Sequence, residues 1–228
     1  MSLPRRFYKT VTVTPERGIA LDGKPVKTPL KAVLQLPTLA LAEAVAAEWE
    51  AQGRLLNPAS MILTKLANTA IDRMGPGVID EMLDYAGSDL VCYRADRPPD
   101  LVQRHADLWD PVVAWARREL HAPFEVHIGV VHKLQPAAAL SAARQALEAC
   151  DRFEIAAIHT IMTLTGSALS SLMLARGALS PEKAWAAAHA DEDFQIAQWG
   201  DDDEAAARRV RRRSEFDVCC RFLALLKA

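Results

Sequence analysis

The chain has 228 residues, half of them apolar and a quarter charged, which is enough to build one large or two small hydrophobic cores. Its net charge of −2 gives no overall pull toward nucleic acid or an anionic membrane. The four cysteines, Cys92, Cys150, Cys219 and Cys220, form no CxxC and lie in apolar helical surroundings, so they read as small buried hydrophobes of a reducing compartment. No secretory or transit-type segment precedes Arg5-Arg6-Phe7-Tyr8, which suits a cytosolic or already processed chain.

The first forty residues read as an antiparallel meander. Phe7 to Val13 is rich in aromatic and β-branched residues and predicts a strand, followed by a turn at Thr14–Gly18 and a short strand at Ile19–Leu21. Asp22-Gly23 is a hairpin signal. Lys24–Thr28 predicts a third strand, placed at an edge by Pro25, and Ala32–Leu36 a fourth. Gly18 to Lys24 also has the GxxxxGK spacing of a phosphate loop. Pro25 stands where that loop needs Ser or Thr, and no helix start follows, so a hairpin accounts for the same glycines.

Thr38 predicts the cap of a helix with Leu41, Val45, Ala46 and Trp49 on its apolar side, closed at Gln52-Gly53 by a left-handed glycine. A second helix carries Leu63, Leu66, Ala67, Ala70, Ile71 and Met74 on one face, with Ser60 as its expected cap and Gly75-Pro76-Gly77 as its stop. Its other face bears Thr64, Lys65, Asn68, Thr69, Asp72 and Arg73. The ordinary reading is a solvated face in which Asn68 meets Asp72; the sharper one is a helix that seals two domains together.

From Val78 onward the hydrophobic period is almost entirely helical. One helix is expected from Ile79 to about Arg94. Another begins near Leu101 and is kinked or restarted at Asp110-Pro111. Pro123–Val131 is expected to be extended, and Gln135-Pro136 to open a further helix. Ile155 to Ala175 lacks any Lys, Arg, Asp or Glu. Its Thr and Ser residues and the missing aromatic belt favour one buried central helix over a membrane span, with His159 a satisfied core histidine.

Ser180-Pro181 starts another helix, on which Trp185, His189, Glu192, Ile196 and Trp199 form one stripe. An acid on an aromatic stripe either pairs with an arginine of the chain or meets a partner. Asp201–Glu204 opens the last helix, and the five arginines between Arg208 and Arg213 read as an ion-paired, solvated face. HExxH, GxSxG and tight histidine spacings are absent, so neither a metal nor a cofactor is expected. The fold class is therefore α+β: a β-rich domain over residues 1–75 and an all-α domain over 76–228.

Several stretches together resemble one known family, the Atp12-type assembly chaperones of F1-ATPase. They are Arg6-Phe7-Tyr8-Lys9, Leu21 to Pro29, Ala47-Glu48-Trp49-Glu50-Ala51-Gln52, Leu63 to Arg73, Asp89-Leu90-Val91-Cys92-Tyr93-Arg94, Trp109-Asp110-Pro111, and Glu192-Asp193-Phe194-Gln195 with Trp199-Gly200. Ile62 departs from the family, which often has Pro there, and Asp191 and Asp193 make the last segment more acidic than usual. The resemblance implies a chaperone without enzymatic activity. It would bind the free α subunit of the F1 sector and release it to the β subunit, with no cofactor, small-molecule substrate, nucleic acid or membrane insertion. It maps the family's acid onto Glu192, and implies Glu192, Gln195, Trp199 and Trp185 as client-facing, with Asn68, Asp72 and Arg73 at the domain junction. An enzyme with a site in an inter-domain cleft, nucleotide-binding through Gly18–Lys24, is the alternative.

Overall fold

The computed structural model describes residues 3–228 and divides into two compact units. One comprises the chain up to Met74 together with Arg152–Ala157 and Val218–Ala228; the other comprises Gly75–Asp151 and Ile158–Asp217. The sequence division at residue 75 thus has two later segments, 152–157 and 218–228, grouped with the N-terminal part.

In the first unit, β1 (Val11–Val13), β2 (Ile19–Leu21) and β3 (Lys24–Pro25) form an antiparallel sheet in the order β1-β2-β3, with Val11 opposite Leu21 and Ala20 opposite Pro25. The turn between β2 and β3 has positive φ at both Asp22 (47°) and Gly23 (77°), the pairing that matches the twist of a tight hairpin. Hairpin geometry at these residues leaves no helix start of the kind a phosphate loop requires. The Asp22 carboxylate reaches back to accept from the backbone N–H of Thr10 (2.9 Å) and Lys9 (3.0 Å), and these bonds hold its pKa below the usual range. The strands are shorter than their sequence patterns. Pro25 gives the third no N–H to continue its ladder, and the fourth is reduced to single bridges, Gly18 to Gln35 and Lys27 to Val33.

Helix α1 (Leu39–Glu50) is capped by Thr38, whose hydroxyl accepts from the N–H of Leu41 at 3.2 Å and donates to the Leu225 carbonyl at 2.7 Å. Its end is not a left-handed glycine: φ at Gly53 is not positive, and the buried Gln52 side chain closes the turn instead. Its amide donates to the Glu48 carbonyl (3.0 Å) and accepts from the N–H of Asn57 (2.7 Å).

Helix α2 (Ile62–Asp72) is not capped by Ser60, which ends a short 3-10 turn over Pro58–Ser60. The cap comes from α1. Glu48 accepts from the N–H of Leu63 and from both the N–H and the hydroxyl of Thr64, each at 2.8 Å. A carboxylate at a helix N-terminus satisfies orphan donors and suits the helix dipole. This explains why Thr64, on the expected polar face, is buried. Glu48→Ala is expected to lower stability by about 2 kcal/mol, in the range of lost charge-assisted caps, with Glu48→Gln losing about half of that. Urea denaturation of the two variants would check both figures.

In the second unit, α3 (Pro76–Gly87) stops well short of Arg94, because the chain turns through a 3-10 segment at Leu90–Cys92 around the buried Asp89. β4 (Tyr93–Arg94) follows, then α4 (Pro99–Glu119), which continues through Pro111 with no new helix starting there. β5 (His127–Ile128) pairs parallel with β4 inside the stretch expected to be extended. α5 (Ala137–Glu148) packs on α3, where Arg144 meets Asp80 at 2.5 Å.

The uncharged stretch is two helices, not one: α6 (Arg152–Thr165) and α7 (Ala168–Ala175). Gly166 takes φ 73°, which ends α6, and Ser167 caps α7 by accepting from the N–H of Ser170 at 3.0 Å. Every residue of α7 is buried. His159 on α6 is half-buried, with its Nε2 3.3 Å from a Glu81 oxygen. α8 (Pro181–Ala188) is capped by Ser180 as expected, and α9 (Ala190–Trp199) and α10 (Asp203–Leu225) complete the chain. Among the described residues no helix is long and apolar enough to cross a membrane.

Candidate functional site

The aromatic stripe expected on one helix is divided between two. His189 lies between α8 and α9 with φ −117° and ψ 23°, so Trp185 and Trp199 do not share a helix face. Trp185 is core. Its ring stacks on His189 at 3.9 Å, meets Phe216 at 5.3 Å, and lies under the Arg213 guanidinium at 5.3 Å. It offers almost no surface to a client.

His189 itself is buried, and that burial pushes its pKa below the ordinary histidine value. Its Nδ1 lies 2.9 Å from the Trp185 carbonyl, which can only accept, so Nδ1 carries the proton of the neutral ring. Nε2 is then an acceptor, facing a Glu192 oxygen at 3.8 Å with no proton to share.

Three consecutive acids open α9, and the fold separates their roles. Asp191 accepts from Nε2 of His105 at 2.8 Å. His105 is buried, stacks on Trp109 at 3.8 Å, and accepts from the Ala95 N–H at its Nδ1, which fixes the tautomer that donates to Asp191. Asp193 sits between two guanidinium groups, Arg104 at 2.8 Å and Arg209. Glu192 has neither kind of bond. Its nearest cation is Arg209 at 3.8 Å, the neutral His189 ring lies at the same distance, and its side chain is 42 % exposed. Two of the acids are therefore held by short bonds inside the unit, and the third has only long contacts. The partners of Asp191 and Asp193 lie 86 and 89 residues earlier, a separation no spacing argument could bridge.

Around Glu192 the surface is a shallow depression of about 380 Å³ lined by Leu90, Thr163, Gly166, His189 and Arg212, among others. Arg212 is oriented by a bond from its guanidinium to the Leu164 carbonyl at 2.5 Å. Further along α9, Gln195 is exposed and Trp199, the last residue of the helix, is 76 % exposed. Val210 on α10 is exposed as well. The arginine run on α10 is ion-paired at Arg208 with Glu204 (3.5 Å) and at Arg213 with Asp217 (2.8 Å). The arrangement thus offers an apolar indole, an amide and a loosely paired carboxylate, which is chemistry for recognising a surface.

The residues assigned to the domain junction lie on α2. Asp72 accepts from the Thr28 hydroxyl (2.6 Å) and the Leu30 N–H (3.0 Å), bonds within the first unit, and not from Asn68. Asn68 Oδ1 is buried with no hydrogen-bond partner among the described residues, and the Arg73 side chain is exposed. Among the described residues no three His, Cys, Asp or Glu side chains are grouped so as to hold a metal ion.

Comparison with known proteins bears on this surface. A family model described as ATP12 chaperone protein matches residues 5–117. The crystal structure of Atp12 from Paracoccus denitrificans superposes with a TM-score of 0.91 at 38% identity, covering 98% of each chain. A protein of Agrobacterium tumefaciens superposes with a TM-score of 0.91 at 44% identity, covering 98% of this chain and 87% of that one. A point variant of the Paracoccus protein gives 0.90 at 38%, again covering 98% of each. Identity at this level over nearly the whole length shows common descent, and the chain belongs to the ATP12 chaperone family, whose members assist assembly of the F1-ATPase and are not enzymes.

Proposed function

We propose that the chain binds the free α subunit of the F1 sector, covers its assembly surface, and yields it to the β subunit by competition. The observation that carries the reading is the loose hold on Glu192: a half-exposed carboxylate with one long ion pair, to Arg209 at 3.8 Å, beside two acids held by short hydrogen bonds, on the helix that ends in exposed Trp199. An exposed indole with a fixed charge supplies both the apolar area and the orientation that a protein interface needs. Gln195, exposed on the same helix, adds a donor and an acceptor at the rim. Trp185 is no part of this surface. A client that leaves by competition requires no nucleotide, and the bacterial relatives suit work in the cytoplasm.

Co-expression with an F1 α subunit should give a complex that purified β displaces. Trp199→Ala should weaken it about thirtyfold, the loss typical of a central aromatic contact. Failure of α to co-purify at low salt would overturn the assignment of the client.

A further inference from the structure

The first unit carries a second surface that the α9 reading does not use. A groove of about 350 Å³ runs along the hairpin, with the Tyr8 and Trp49 rings packed at 5.8 Å and Phe7 set edge-on to Tyr8 at 5.4 Å. Pro25 and Val26 form its other side, and Lys24 and Lys27 stand on that rim. Tyr8 and Leu21 are buried here as part of a small core with Leu56, so packing accounts for them. It does not account for Phe7, which is 72 % exposed, or for the two exposed lysines. These residues fall in three of the stretches that carry the family resemblance, around Phe7, Lys24 and Trp49, and those stretches meet in this groove.

The charge around the groove is unbalanced. Asp22 also lines the groove and stays ionised on the backbone N–H groups of Lys9 and Thr10, so the lining sets two lysines against one carboxylate, while Glu50 is paired with Arg6 at 3.2 Å. Lys24 and Lys27 have no such partner among the described residues. Residues 1–74 hold ten Lys and Arg against six Asp and Glu, in a chain whose net charge is −2. An aromatic-floored groove beside a short edge strand accommodates an extended backbone and one bulky side chain, and a lysine rim selects acidic flanks.

We propose that this groove binds an extended, acidic peptide segment of a partner protein, with one apolar side chain seated against Phe7 and Trp49 and flanking carboxylates on Lys24 and Lys27. The site is separate from the α9 surface and does not depend on the identity of the client there.

The test uses the full chain and fluorescein-labelled peptides in which a central Phe, Leu or Pro is flanked by Asp and Glu, or by Lys. Fluorescence anisotropy should show at least one acidic peptide binding with Kd below about 100 µM, at least tenfold tighter than its lysine counterpart and weakened by added salt. Combining Lys24→Glu with Lys27→Glu should cost at least tenfold, and Phe7→Ala a similar factor. All three side chains are exposed, so unchanged circular dichroism and melting should confirm that the fold is intact. Absence of binding below about 1 mM across the acidic series, or indifference to the double charge reversal, would overturn the proposal. So would lysine-dependent binding to phosphatidylglycerol vesicles without peptide binding, which would make the rim a membrane contact.

Discussion

Asp89→Ala is expected to lower the stability of the second unit by about 4 kcal/mol, which at this chain length is a fall of about 10 °C in Tm. Asp89 is fully buried. Its carboxylate accepts from the N–H of Leu169 at 2.9 Å and of Val91 at 3.2 Å. It therefore holds the 3-10 turn at Leu90–Cys92 and the start of α7 to the same two oxygens. Alanine leaves these donors buried without an acceptor, and each costs about 1–3 kcal/mol. Asn is a milder but real loss of about 2 kcal/mol, because its amide places two protons where the backbone also presents protons.

The same residue gives a pH signature. Burial raises the Asp89 pKa from 3.8 to about 6, against the pull of its hydrogen bonds. A carboxyl whose folded pKa lies above its unfolded value binds protons more tightly in the folded state. Its favourable contribution is complete below about pH 3.8 and is lost as pH rises through about 6, an amount of about 3 kcal/mol. Wild type should therefore lose stability over that interval relative to Asp89→Asn, which has nothing to titrate. Denaturation midpoints of the two proteins, measured between pH 4 and 7 and differenced, would show the step; parallel curves would refute it.

The second large effect separates two adjacent acids. Asp193→Ala should destabilise by about 2 kcal/mol, because it strips Arg104 and Arg209 of their shared acceptor where all three side chains are part-buried. Among the described residues Arg104 has no other carboxylate partner, and its Nε is already buried and unbonded. Glu192→Lys should leave stability within about 0.5 kcal/mol, since its contacts at 3.8 Å are long and its side chain is open to water. For client binding the ranking reverses in kind. Glu192→Lys should weaken the α-subunit complex by at least tenfold in a fully folded protein, whereas Asp193→Ala should weaken it only in proportion to its unfolding. Melting curves alongside pull-down titrations would distinguish the two. A folded Glu192→Lys protein with unaltered client affinity would remove this carboxylate from the interface.

Local signals in the sequence were enough for the Asp22-Gly23 hairpin, the Thr38 and Ser180 caps and the predominance of helix after residue 78. Each depends on residues within a turn or two of one another, where backbone sterics and side-chain reach decide the outcome. The resemblance stretches likewise placed the chain in its family. Tertiary structure alone decided that Glu48 rather than Ser60 caps α2, that Gly166 and Ser167 break the apolar stretch into α6 and α7, and that Trp185 is buried while Trp199 is not. It also assigned Asp191 to His105 and Asp193 to Arg104 and Arg209, leaving Glu192 with only long contacts. The physical reason is reach along the chain: a carboxylate takes whichever donor the fold brings within 3 Å, and most of those donors come from other helices, as far as 89 residues away.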